Sequence, residues 1–588
     1  MSGVLTIVPR KRKPLYFIFL GFLTLFTIHI SAHDYYVRTP AEIALALPFL
    51  LPGDTLTMAD GVWQDADIRF RASANVIDSI LLRAETSGQV ILTGNSRLRL
   101  YGSYLIVKGL YFKNGSGINS EVVAFRESAT QIARHSRLTE CAFESINSPL
   151  PGSASWVTLY GSHNRIDHCY FFNKTTVGPT LTVVPDGQPN EHRIDHNYFA
   201  FRPPLGSNGG ETIQIGTSEW SMYYSHTLVE HNYFERCNGE AEIISSKASA
   251  NIIRYNTFRE CEGALSLRHG NFCEVYGNFF FGNFQPLTGG VRIVGEDHRV
   301  YNNYFQDLAG TEFYSPLSLM NGIPNSPLNG YFQVKRAQVL FNTLVNCYNP
   351  IVIGLGRNTD RTLPPLDCTI ANNIVFTANS VWIIAEVDTP DNMLYQGNIM
   401  FGSPLGITPR PGISRVDPLL HRAADSLWRP VPASPVIGAG QGNYLFVNDD
   451  VDGHMRNLPK DSGADQVSSA PLLRRPLTPL DVGPPWFPPA QYATQDHPRP
   501  PLRSLLLHTA PNPFNPATTI SFTLPHSARV RLEIYAISGA RVDVLLDQHL
   551  PPGAHHIRWQ PQHCASGLFF CRLQANSAAA VKKLIYLK

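Results

Sequence analysis

Ile166-Asp-His-Cys-Tyr-Phe171, Ile194-Asp-His-Asn-Tyr-Phe199, Val229-Glu-His-Asn-Tyr-Phe234, Ile253-Arg-Tyr-Asn-Thr-Phe258 and Val300-Tyr-Asn-Asn-Tyr-Phe305 are versions of one phrase. Fainter copies surround Cys141, Asn278, Asn342, Asn373 and Asn398. From Cys141 to Asn398 the intervals at the Asn or Cys position run 28, 28, 35, 24, 22, 25, 39, 31 and 25 residues, the period of a solenoid. Each copy flanks a polar turn residue with β-branched or aromatic residues, so the repeating unit is a set of short strands joined by turns. An Asn at a fixed register can hydrogen-bond its side-chain amide to the next coil, roughly 4.8 Å away. The fold expected is an all-β, right-handed parallel β-helix. A β-propeller would need about 40 or more residues per blade.

Around the repeat, the chain divides by composition. The 588 residues carry a formal net charge of +2, which argues against a nucleic-acid binder. Arg10-Lys-Arg-Lys13, an apolar run from Leu15 to about Ile30 and Ser31-Ala32 make residues 1–32 a signal peptide by pattern. No later stretch is apolar enough to span a bilayer, so an exported chain without a membrane span is expected. Nine cysteines leave at least one unpaired, and their places in the repeat favour buried thiols stacked in a column over disulfides. The β-helix is expected over 33–468. Prolines crowd 469–502, including pairs at Pro484, Pro488 and Pro500, and a segment that cannot join a sheet is expected to be a linker.

Residues 503–588 alternate as strands, with Val530-Arg-Leu-Glu-Ile-Tyr535 the clearest. With Pro511-Asn-Pro-Phe-Asn-Pro516, Ile534-Tyr-Ala-Ile-Ser-Gly539, Ala565-Ser-Gly-Leu-Phe-Phe570 and Lys582-Lys583, this part resembles the carboxy-terminal sorting module of type IX secretion cargo. The resemblance implies a small immunoglobulin-like β-sandwich that engages the secretion machinery and a bacterial protein secreted or held at the cell surface.

The chemistry concentrates in Asn238-Gly-Glu-Ala-Glu-Ile-Ile-Ser-Ser-Lys247 and Leu265-Ser-Leu-Arg-His-Gly270. Glu240 and Glu242, two apart, would share one face of a strand. Two adjacent carboxylates need a cation, and oxygen donors without zinc-type Cys/His spacing suit Ca²⁺. Asn208, Glu211 or Gln214 of the preceding coil can add a ligand. Lys247 and Arg268 beside such a cation make a site for a polyanion. On a uronic-acid polymer, neutralising the ring carboxylate acidifies the C5 proton, a lysine removes it, and the C4 oxygen departs. Hydrolysis would instead need two carboxylates flanking the bond, one of them protonated, so β-elimination fits better. The intervals of 35 and 39 residues mark loops that border the same groove.

Pro52-Gly-Asp54 with Asp60-Gly61, Asn208-Gly-Gly210, Glu240-x-Glu242-x-x-Ser-x-Lys247, Ser266-Leu-Arg-His-Gly270, Gly290-Val-Arg-Ile-Val-Gly295 with His298, and Met320-Asn-Gly-Ile-Pro-Asn325 resemble polysaccharide lyase family six, the alginate lyases and chondroitinase B. The resemblance runs from residue 35 to about 468. It implies Lys247 as base, Arg268 as acid, and Glu240, Glu242 and Asn208 as Ca²⁺ ligands. An acid role sits uneasily with arginine, which stays protonated; Arg268 can instead stabilise the departing oxygen while water or His269 supplies the proton. Arg292 is expected to clamp a substrate carboxylate, with His269, His298 and Tyr314 lining the groove. The expected activity is a secreted alginate lyase acting on poly-mannuronate or poly-guluronate. The alternatives are a chondroitinase B-like lyase on dermatan sulfate, which should demand a more basic groove, and a noncatalytic cell-surface β-helix that binds polysaccharide.

Overall fold

The computed structural model describes residues 32–115, 120–147, 154–487, 507–524, 528–551, 553–562, 564–575 and 578–588. The signal-peptide expectation for 1–32 and the second half of the proline-rich stretch therefore lie outside the described residues, apart from Ala32. The chain divides into two compact units, one formed by Met1–Thr377 and Trp382–Pro489, the other by Ala378–Val381 and Ala490–Lys588.

The first unit is a parallel β-helix. Two sheets of 14 strands and one of 13 run its length, and successive coils pair in parallel and in register. Within each repeat the phrase makes a corner. Ile166 and Phe171 point inward and are buried, and between them His168 turns the chain through the left-handed region at φ 51°. His196 and His231 repeat that conformation at φ 54° and 53°, and His and Asn are among the non-glycine residues that adopt it most readily.

The residue after each corner carries the stack. Asn197, Asn232, Asn256, Asn278, Asn303, Asn342 and Asn373 each pass an Nδ2–H to the Oδ1 of the next, ending at Asn398, at 2.9–3.0 Å. The ladder expected from the repeat is present. Beside it the rings of Phe112, Phe143, Phe171, Phe199, Phe234, Phe258, Phe280 and Phe305 stack at 4.6–5.0 Å. All nine cysteines are free. Eight are buried and Cys564 is half-buried, consistent with thiols used as small apolar side chains.

The ladder makes a testable demand. Asn278 donates to the carbonyls of Ile253 and Tyr276 and accepts from the backbone N–H of Asn256. Asn278→Ala removes these bonds and leaves the buried Asn256 N–H without its partner, at a cost of about 2–4 kcal/mol. Urea unfolding should show that loss. A change of less than about 0.5 kcal/mol, the scale of a surface substitution, would contradict a stabilising ladder.

The proline-rich stretch is not free chain throughout. Up to Phe487 it lies on the outside of the β-helix: Trp486 donates its indole N–H to the Glu140 carbonyl at 2.8 Å, and the Leu477 N–H bonds Thr257 Oγ1 at 2.8 Å. Outward-facing aromatic rings on that face, Tyr111 and Tyr170, receive Phe487. The linker expected from residue 469 is thus packed for its first half, because proline excludes a segment from a sheet but not from a surface.

The second unit has a three-stranded antiparallel sheet, with Leu507–Ala510, Thr518–Leu524 and Gly553–Trp559, and a four-stranded one, ordered Arg541–Leu550, Ala528–Ala536, Gly567–Ala575 and Ala578–Tyr586. Phe514, Ile520, Leu532, Trp559 and Leu573 fill the core.

Candidate active site

The 13-stranded sheet carries the site. Its strands Ile213–Ile215, Glu242–Lys247, Gly263–His269, Thr288–Ile293 and Leu317–Met320 lie side by side. Ile213, Ile244, Leu265, Val291 and Leu317 are in register and fully buried, so they face the core. The alternate row, Gln214, Ser245, Ser266, Arg292 and Ser318, faces the other way. Register shifts near both ends of the strand Glu242–Lys247 mark bulges, which re-aim side chains next to active sites.

Glu240 does not lie on that strand, as its spacing from Glu242 suggested, but in the bend before it. Its carboxylate nevertheless meets that of Glu242, and a third joins them. One oxygen each from Glu211, Glu240 and Glu242 lies within 4.8 Å of the others. The third partner expected was Asn208, which lies exposed three residues earlier, whereas Glu211 is 3% exposed. Glycines let the two coils approach. A Cβ on Gly210 would stand 2.4 Å from the Gly239 carbonyl carbon, and one on Gly239 would stand 2.2 Å from the Gly210 oxygen. Asn208-Gly-Gly210 and Asn238-Gly239 therefore bring the Glu211 and Glu240 backbones together.

Burial, together with the Glu211 and Glu242 carboxylates, pushes Glu240 up to about 8. Glu211 Oε2 and Glu240 Oε1 are buried without a hydrogen-bond partner. A hard divalent cation satisfies both conditions, since it supplies positive charge and takes oxygen donors alone. The residues fit a Ca²⁺-type ion, with Glu211, Glu240 and Glu242 as its carboxylate ligands.

Cationic side chains ring this cluster. Lys247 Nζ is 3.4 Å from Glu211 Oε1, Arg268 Nε is 3.9 Å from Glu242 Oε1, and Arg292 Nη2 donates to the same Glu242 oxygen. Arg268 is further fixed by donating from Nη1 to the Gly330 carbonyl and to His269 Nε2, both at 2.7 Å, and by lying 4.1 Å above the Tyr331 ring. Burial lowers the Arg268 pKa from its ordinary value.

Lys247 and Arg268 are thus brought together with the acidic pair as expected, but three other expectations need correction. His298 is fully buried, accepting from the Cys273 N–H at Nδ1 and donating from Nε2 to the Val294 carbonyl, so it braces two coils and cannot meet substrate. His269 is 2% exposed and holds Arg268 rather than lining the groove; burial, with Arg268 and Lys247 nearby, pushes it down to about 4 and keeps it neutral. Arg292 is 4% exposed and committed to Glu242. Tyr314 is half-buried in a 3-10 turn, Glu312–Tyr314, that packs on the strands Gly263–His269 and Thr288–Ile293. Tyr331 was missed; it follows Met320-Asn-Gly-Ile-Pro-Asn325 in the same 39-residue interval, and that loop was its only sequence signal.

Comparison with known proteins identifies the family. The family model for chondroitinase B matches residues 37–437. The chain belongs to this family. Among solved structures, the chain resembles the PL6 family alginate lyase AlyGC at 38% identity and a TM-score of 0.66, over 75% of this chain and 59% of that one. This chain therefore spans about three-fifths of AlyGC's length. A mannuronic acid specific polysaccharide family 6 lyase from human gut microbiota is 31% identical, with a TM-score of 0.58, over 65% of this chain and 91% of its own. No curated protein matches. Residues 509–587 match the secretion system C-terminal sorting domain, which places the protein at the cell surface or outside the cell through type IX secretion. No helix among the described residues is long and apolar enough to cross a membrane.

Proposed function

We propose that the chain cleaves alginate by cation-assisted β-elimination, with Lys247 as base. The observation that carries this reading is one arrangement: a lysine, a propped arginine and three converging carboxylates, two of them with orphaned buried oxygens, on adjacent coils of one sheet. The names of the similar structures support alginate as the polymer.

A bound Ca²⁺ would neutralise the uronate carboxylate and so acidify its α-proton at C5. Lys247 Nζ takes that proton, the C5–H electron pair becomes the C4=C5 double bond, and the C4–O bond breaks. Arg268, held by Gly330, His269 and Tyr331, offers hydrogen bonds to the departing oxygen, and water delivers the proton that oxygen needs. Arg268 therefore acts without losing its own proton. No water is added across the bond. Glu211, one contact from Lys247, positions the amine between the acidic cluster and the substrate.

Incubation with alginate and with dermatan sulfate, followed by the absorbance of the unsaturated product, tests the substrate. Alginate is expected to give product and dermatan sulfate to give little. Product from dermatan sulfate alone would move the reading to the chondroitinase B-like alternative, and product from neither would end the lyase reading.

A further inference from the structure

The site-bearing sheet continues well beyond the site, and its outward row can be followed strand by strand. From Ser245 the register passes to Gln214, Thr182, Thr158, Ala124 and Arg99, and then to Arg69. Arg99 is five strand steps from Ser245, or about 24 Å, and Arg69 one step further. There the face becomes cationic. Arg69, Arg71 and Arg97 are 49%, 46% and 40% exposed at their side chains, and Arg126 lies 3.7 Å above the Tyr160 ring.

Three carboxylates pair with these guanidinium groups. Glu127, only 10% exposed, receives Arg69 at 3.1 Å and also Arg71; Glu121 is paired with Arg99 at 3.7 Å and Arg126 at 3.6 Å; Asp67 takes Arg97 at 3.0 Å. Five arginines on three carboxylates leave an excess of two positive charges, equal to the +2 of the whole chain. Arg69 and Arg71, with Asp67 beside them, also form one wall of an open cleft of about 590 Å³ whose other wall is the helix Pro40–Ala46 with Leu47 and Pro48.

Nothing in the elimination chemistry uses this cluster. A 1→4-linked uronan rises by about one strand spacing per sugar and carries one carboxylate on each, so a polymer passing above this face, whose intervening Thr158 and Ala124 are themselves buried, can bring carboxylates to the exposed arginines at its far end. We propose that the arginine cluster is a distal uronate-binding subsite that holds the same polymer about five to six sugars from the bond being cleaved. Guanidinium groups already held by ion pairs present forked donors to planar carboxylates with little ordering left to do. Contact at both ends of a chain adds affinity that a short oligomer cannot gain.

This inference rests on the uronan-lyase reading, and the experiment separates the two. Wild type and Arg69→Gln/Arg71→Gln are compared on long alginate and on alginate tetrasaccharide, by initial rate and by calorimetric binding of the long polymer. The double variant is expected to raise KM on the polymer about fivefold to tenfold, as for two lost exposed charge contacts. Its constants on the tetrasaccharide should match wild type, and Arg69→Lys/Arg71→Lys, which restores the charge without the forked donors, should recover only part of the loss. An unchanged polymer KM overturns the proposal, and so does an equal fall on both lengths. If wild type cleaves neither substrate, the lyase reading fails, and the calorimetry still decides: weaker polymer binding by the glutamine variant supports the subsite and equal binding removes it.

Discussion

Lys247→Ala is expected to lower turnover on alginate by roughly 10³-fold, within the range general-base catalysis contributes, while leaving polymer binding and the fold in place. Lys247 is the amine at the carboxylate cluster, with Nζ 3.4 Å from Glu211 Oε1. Arg268 and Arg292 cannot replace it as a base, because guanidinium keeps its proton. His269, although neutral, is 2% exposed and occupied by Arg268. The measurement is kcat with an independent binding constant for the polymer. A variant with near-normal kcat would remove Lys247 from the chemistry, and one that had lost binding instead would make it a binding residue.

Glu240→Gln/Glu242→Gln should abolish activity to a similar degree and, separately, abolish a thermal response to Ca²⁺. An ion held only by the folded state, at about 100 times its dissociation constant, would add about 2.7 kcal/mol of stability, seen as a rise in Tm. Glu240 is pushed up to about 8 by burial and its two carboxylate neighbours. It is therefore largely protonated at neutral pH without the ion, and Glu240→Gln resembles that form. The ion-free stabilities of wild type and the single Glu240→Gln variant should lie close together, with only wild type responding to Ca²⁺. Chelator should silence wild type, and added Ca²⁺ should restore it. A Ca²⁺-induced rise in Tm retained by the double variant would move the metal site elsewhere.

The fold was legible because it is periodic. A coil that repeats every 22 to 39 residues places like side chains above one another, and the corner at His196 illustrates it through the next residue, Asn197, whose amide donates onward to Asn232. The site was legible only where its residues occupy that register. Lys247 and Arg268 lie on adjacent strands, so the repeat places them together. Glu211 was harder to choose over Asn208, because both lie in a loop before the strand and only the contact between Gly210 and Gly239 selects the carboxylate. Exposure was not legible at all. His269 and Arg292 look like groove residues by alternation, yet the chain returning through Gly330 and the turn Glu312–Tyr314 covers their strands. His298 is fixed by two backbone groups that no local spacing reveals.

Elimination at this lysine-centred site is tested most directly by the chemical form of the product. Alginate digested by wild type with Ca²⁺ present, and analysed by mass spectrometry and proton NMR, should yield oligomers with a C4=C5 double bond at the new non-reducing end and without the water that hydrolysis adds. Saturated oligomers carrying that water would contradict the account.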